Sequence, residues 1–147
     1  MSLIHSTAAC VIQQGERFLM VEEQRDGLLQ TVFNQPAGHI ELGEGPIAAI
    51  LREVKEETAW QVSLTGYLGL YVFHTDAGAT FHSHGFIAEP LHQLDLPLDP
   101  DITATHWLTL EQIRGLDEQL RLRSPLVLKR IEDALGGSCY PLAVIRE

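Results

Sequence analysis

Three glutamates, Glu53, Glu56 and Glu57, fall in one predicted helical segment that opens after Gly45-Pro46. At 3.6 residues per turn each position advances about 100°, so the three carboxylates span an arc of about 100°. That arc lies beside the apolar stripe of the same helix, Ile47, Ile50, Leu51, Val54 and Thr58, not within it. Like charges at i,i+3 and i,i+4 cost a helix ~0.2–0.5 kcal/mol per pair. Lys55 is on the other side of the wheel and only Arg52 stands near Glu56, so the cluster is left largely unrelieved. Hard divalent cations ask for such a cluster, oxygen ligands converging on one point. A solvated acidic face is the ordinary alternative, and the helix alone does not decide between them.

The upstream spacing does. Gly38, Glu44, Arg52, Glu53, Val54, Glu56 and Glu57 read as Gly, five residues, Glu, seven residues, then Arg-Glu-apolar-any-Glu-Glu. At a chance of roughly 6% for each non-apolar match, coincidence is on the order of 1 in 100,000 for a chain of this length. The pattern resembles the signature of the Nudix hydrolases, and the chain is identified as a member of that family. Two positions depart from it. Ala59 stands in place of the closing glycine and Trp60 in place of an aliphatic residue. Alanine takes the left-handed conformation only at some cost, so a slightly altered exit from the helix is expected.

The resemblance implies a fold and a chemistry. The fold would be α+β, a mixed β-sheet sandwiched between helices, with the signature forming a catalytic loop–helix–loop. Glu53, Glu56 and Glu57 would bind Mg²⁺ or Mn²⁺, and Glu53 would steer the attacking water. The backbone carbonyl of Ala37, before Gly38, would be a further ligand, with Glu44 and Arg52 a supporting ion pair that orients the helix carboxylates. Divalent ions offset the charge of a diphosphate and acidify water. Family members recruit another acid from a later loop, which points to Asp101 in Asp99-Pro100-Asp101-Ile102, as ligand or general base, with Asp99 next.

Further patches resemble the bacterial phosphatase NudJ subgroup of the family: Asn34-Gln35-Pro36-Ala37-Gly38-His39, Leu122-Arg123-Ser124-Pro125-Leu126-Val127 and Tyr140-Pro141-Leu142. This implies release of orthophosphate from nucleoside tri- and diphosphates and from the pyrophosphate of the thiamine pyrimidine precursor. His39 and Arg123 become candidates for the substrate phosphates, Arg123 sharing its motif with Ser124 as a helix cap. His82 and His84 alternate on a predicted strand; ordinary surface or core placement is the leading reading, lining of a polyphosphate or base pocket comes next, and a zinc site is the least favoured. The alternatives are a pyrophosphohydrolase for an ADP-sugar, a dinucleoside polyphosphate or an RNA 5′ end, and a non-catalytic nucleotide-sensing module. A sensor would be expected to lose the metal carboxylates, which are all present.

The elements that must position these residues follow from periodicity. Strands are expected at Ser6–Gln13, Phe18–Glu22, Leu64–His74, Thr80–Ile87 and Thr105–Leu108, with turns at Gln14-Gly15-Glu16 and Arg25-Asp26-Gly27. Gln93–Asp101 reads as a loop, and two late helices follow, from Thr109 to about Arg114 and from Ser124-Pro125 to about Leu135. The 147 residues fit one domain, 1–147. Net charge is −10, which argues against a surface tracking long nucleic acids. Two cysteines argue against a disulfide framework, and neither a leader nor a spanning segment is visible, so a cytoplasmic enzyme or binding protein is the expectation. Oligomeric state is left open.

Overall fold

The computed structural model describes residues 3–147. In chain order the elements are β1 (Ile4–Gln14), β2 (Arg17–Glu23), β3 (Val32–Asn34), β4 (Ala37–His39), α1 (Pro46–Thr58), β5 (Trp60–His74), β6 (Thr80–Gln93), β7 (Ile102–Thr109), α2 (Leu110–Glu118) and α3 (Leu126–Leu135), with a 3₁₀ turn at Leu142–Val144. The strands form a mixed sheet ordered β3-β2-β1-β6-β5, with β4 also on β1 and β7 also on β2. Among the described strands only β1 and β6 run parallel, from Ile4↔Thr80 to Ile12↔Ala88.

Alternation along β1 sets the layers. Ala8, Cys10 and Ile12 point to one face and pack with Ile50 and Val54 of α1, Leu19 and Phe86. Val11 points to the other, where Phe18, Met20 and Leu68 meet Ile113 of α2 and Val127 and Ile131 of α3. The sheet is thus sandwiched between helices, the α+β arrangement expected from the sequence. No helix among the described residues is long and apolar enough to cross a membrane.

Several elements outrun their sequence-based bounds. β5 begins at Trp60, directly after α1, and β6 continues to Gln93 through Pro90. Pairing with β1 ends at Ala88, so beyond it β6 is an edge to β5 alone, where the missing N–H of a proline is tolerated. Leu51, assigned to the apolar stripe of α1, is 40% exposed at its margin. α2 runs past Arg114 to Glu118, held at its start by a reciprocal cap: Gln112 N–H donates to Thr109 Oγ1 (3.2 Å) and Thr109 N–H to Gln112 Oε1 (2.9 Å).

β1 changes partner along its length. Thr7–Ala9 pair with β4, whereas Gln13 and Gln14 turn into β2 through Gly15 at φ 61°. β3 sits on the far side of β2, and Phe33 is joined in turn by Arg121 and Arg123 through backbone bonds of 2.8 Å each. This brings the segment before α3 beside β3 and β4.

Candidate active site

Glu53 and Glu57 stand one turn apart on the flank of α1 that faces β4. The Ala37 amide donates to Glu57 Oε1 at 2.8 Å. The Glu53 carboxylate lies against Gly38 so closely that a Cβ at that position would collide with it. A glycine is therefore required there by close approach, not by backbone conformation. Asp99 completes the group: one carboxylate oxygen from each of Glu53, Glu57 and Asp99 lies within 4.8 Å of the others. It is delivered by its own amide, which donates to the Glu56 carbonyl at 3.0 Å, one of the last-turn carbonyls of α1 left without a helical donor.

Electrostatics at this cluster favour a cation. Burial pushes the Glu53 carboxyl up, with Glu56 and Asp99 repelling it further, against the lowering contact of Arg52. Burial likewise raises Glu57, to about 9, and Glu23, Glu53 and Asp99 add to the shift, while the Ala37 amide opposes it. Oxygen donors held together at this unfavourable charge density suit a hard divalent ion.

Arg52 braces the cluster. It grips Glu44 with two bonds (Nη2–Oε1 2.6 Å, Nε–Oε2 3.1 Å) and donates to Glu53 Oε1 (2.8 Å), Glu56 Oε2 (3.2 Å) and the His39 carbonyl (3.1 Å). Hydrogen bonding to Glu44 holds the guanidinium fully charged, and the Glu44 carboxyl is lowered in turn. Of the three helix glutamates, Glu56 alone turns outward, with its side chain 44% exposed on Arg52. On the wheel Glu53 and Glu57 are about 40° apart, whereas Glu56 lies a further 60° out.

Two cavities lie to either side of Arg25. An acidic one of about 340 Å³ is lined by Glu23, Asp26, Glu57, Asp99 and Asp101, with Arg25 at its edge. The other, about 170 Å³, is bounded by Ala37, Gly38 and His39, by Phe73, Phe81 and Ser83 of β5 and β6, and by Arg25, Arg123 and Arg130. Arg25 lines both and is tied to Glu23 (2.8 Å). In the second cavity His39 Nε2 meets His5 Nδ1 at 3.3 Å, and His5 stacks on Phe81 at 4.6 Å. Burial, His5 and Arg25 all lower the His39 imidazole.

The pattern of the NUDIX domain matches residues 3–131. Phosphatase NudJ of Escherichia coli K12 is 34% identical over 143 residues, 96% of this chain and 90% of that protein. A NUDIX hydrolase from Nitrosomonas europaea superposes with a TM-score of 0.93 at 35% identity, covering 99% of this chain and 97% of that one. The MutT protein of Methanosarcina mazei, 17% identical with a TM-score of 0.73 and covering 92% of this chain and 96% of that one, shares the fold. The chain belongs to the Nudix family. It is a hydrolase of pyrophosphate bonds, in a family that uses divalent metals and acts on small nucleotide substrates.

Against that Nudix frame, the expected residues divide by position. Glu53 and Glu57 converge, Glu44 and Arg52 pair beside them, and His39 and Arg123 line one cavity. The sequence points to Asp101 ahead of Asp99 as the loop acid, yet it is Asp99 that joins the glutamates. Asp101 lies farther along the acidic wall, where its carbonyl accepts from the Gln24 amide at 2.9 Å. His82 and His84 do not line the pocket. Strand alternation gives that face to Phe81 and Ser83, and His84 meets the Tyr67 hydroxyl on the α1 side at 2.9 Å. Ser124 accepts from the Leu126 amide at the start of α3 (3.2 Å), and Arg123 lines the cavity. Ala59 adopts φ 58°, so α1 ends in a left-handed cap although alanine stands in the glycine position.

Glu23 and Arg130 belong to no motif of the sequence, although each carries a signal in its period. Glu23 follows Leu19 and Val21 at the inward period of β2 and is 4% exposed. Arg130 falls in the inward stripe of α3 between Val127 and Ile131. A charge in an inward period marks a site or a buried pair.

Proposed function

We propose that the chain is a Mg²⁺-dependent phosphatase that releases orthophosphate from nucleoside tri- and diphosphates, and from the pyrophosphate of the thiamine pyrimidine precursor. The observation that carries this reading is the convergence of Glu53, Glu57 and Asp99 beside a cavity lined by Arg25, Arg123 and Arg130. The named relative, Phosphatase NudJ, supports orthophosphate as the product.

Glu53, Glu57 and Asp99 would hold the ion, Mg²⁺ or Mn²⁺, with Glu56 and the Ala37 carbonyl available at its margin. When bound, the ion offsets phosphate charge and lowers the pKa of water. Glu53 Oε1 is clamped by Arg52, and Oε2, without a protein partner among the described residues, is free to orient the attacking water and accept its proton. Glu44 keeps Arg52 in place, so the pair positions Glu53 without touching substrate. His39 and Arg123 would take the phosphates on the other side of Gly38. Asp101 is the second candidate base on the acidic wall.

The test is phosphate and pyrophosphate release over NTPs, NDPs, ADP-ribose, dinucleoside polyphosphates and the pyrimidine pyrophosphate, with Mg²⁺ and with excess chelator. Orthophosphate from the first two classes and from the pyrimidine pyrophosphate, abolished by chelator, is expected. Glu53→Gln keeps the acceptor for Arg52 but loses charge and basicity, and should reduce turnover by roughly 10²–10⁴ with an unchanged melting temperature. Activity persisting in chelator, or a near-normal rate for that variant, defeats the reading.

A further inference from the structure

Arg130 is a buried cation without a carboxylate. It is 5% exposed, and its bonds go to neutral groups: Nη1 donates to Gln35 Oε1 (3.1 Å) and Nη2 to Ser83 Oγ (2.9 Å), while Nε has no partner among the described residues. Asp133, three residues further along α3, is already taken by Lys129 (3.0 Å) and the Tyr71 hydroxyl (2.7 Å). Burial lowers the guanidinium only to about 10, so it stays charged at neutral pH. Leaving a charge unpaired in the interior is costly, and an apolar residue of like volume would serve packing better. Its neighbours in the cavity wall sharpen the point. Three of the chain's ten Lys and Arg residues line this one pocket, and no Asp or Glu does. Arg123 makes no ion pair among the described residues, and burial and Arg25 both lower its guanidinium.

We propose that this pocket is an anion site, taking the phosphoryl group of the substrate that is not under attack at the carboxylates, with Arg130 and Arg123 as its cations. It rests on the phosphatase reading only for the source of the anion. Arg130 is bound at two of its five N–H groups and oriented by Gln35, which itself donates to the Val127 carbonyl at 2.6 Å. The remaining donors are preorganised for phosphate oxygens. The rival occupant is an uncharged ring whose amine would serve Asn34 Oδ1, a buried acceptor in the same wall with no partner.

Inorganic phosphate and an uncharged nucleoside, each titrated into the full chain in chelator and followed by melting temperature and ³¹P NMR, separate the two. Phosphate is expected to bind, and Arg130→Met and Arg123→Gln should each weaken it by about tenfold or more. Arg130→Met should also melt at or above the parent temperature, which a structural role would not allow. Should that variant fail to fold, Arg123→Gln and Arg130→Lys decide. Equal phosphate affinity in parent and variants, or stabilisation by nucleoside with none by phosphate, overturns the proposal. Binding in chelator needs no turnover. An inactive enzyme that still binds phosphate therefore refutes the phosphatase reading alone, and an active enzyme that does not bind it refutes the anion site alone.

Discussion

Asp99 and Asp101 lie two residues apart on the same loop, and what separates them is one backbone bond. The Asp99 amide is fixed to the Glu56 carbonyl, so its side chain shares a point with Glu53 and Glu57, whereas Asp101 is tied through its carbonyl to Gln24 across the acidic cavity. Asp99→Asn should therefore weaken activating Mg²⁺ by at least roughly 10–100-fold, the loss typical of a supporting partner and a floor for a direct ligand. Asp101→Asn should leave metal affinity within a few-fold and act, if on anything, on the pH–rate profile. Metal titrations of phosphate release check both, and a larger metal effect at Asp101 would reverse the assignment. The choice between them was not legible in the sequence, because a loop acid is placed by hydrogen bonds to a distant element. Glu53 and Glu57 were legible because a helix is regular: their i,i+4 spacing alone puts them on one flank.

At the scale of elements, the helix that carries Glu53 and Glu57 is defined by its ends. Its start has no side-chain cap at Gly45, and the free amide of Ile47 is met by the Glu147 carboxylate at 2.8 Å, a hundred residues away. Its end is the left-handed Ala59, whose amide bonds the Lys55 carbonyl at 2.9 Å and whose own carbonyl accepts from Leu94 at 2.7 Å. Those bonds tie the helix end to the start of the loop that carries Asp99, so the cap persists although alanine is strained in it. Ala59→Gly should relieve that strain and stabilise the fold by about 0.5–1 kcal/mol, with turnover unchanged. Denaturant midpoints at constant m-value measure this; a loss of stability would mean the buried Ala59 methyl, 2% exposed, contributes more than the strain costs. Element types were readable from periodicity, but the bounds of β5, β6 and β7 were not. Strand ends depend on which neighbour still pairs at each position, and Pro90 looks like a stop until β1 is seen to have ended first.

For the molecule as a whole, two cavities of opposite charge meet at Arg25, in a chain of net charge −10. The acidic side is unstable by itself. Glu57 is raised to about 9 mainly by burial, and Glu23, Glu53 and Asp99 repel it further, so at neutral pH the metal-free fold must keep this carboxyl protonated, at a cost to stability that a bound cation would replace. A ligand that binds only the folded state stabilises by mass action, about 2.7 kcal/mol at a hundred times its dissociation constant. For a chain of this length that is a rise of roughly 5–10 °C in melting temperature. Mg²⁺ should produce it and Na⁺ at matched ionic strength should not, since screening acts on every exposed charge and a chelating site on one. Glu57→Gln can still accept the Ala37 amide, so it should fold, melt at or above the metal-free parent, and lose most of the Mg²⁺ shift. An equal shift with Na⁺, or an undiminished one in that variant, would assign the stabilisation to the general acidity of the surface instead of to the carboxylates beside Gly38.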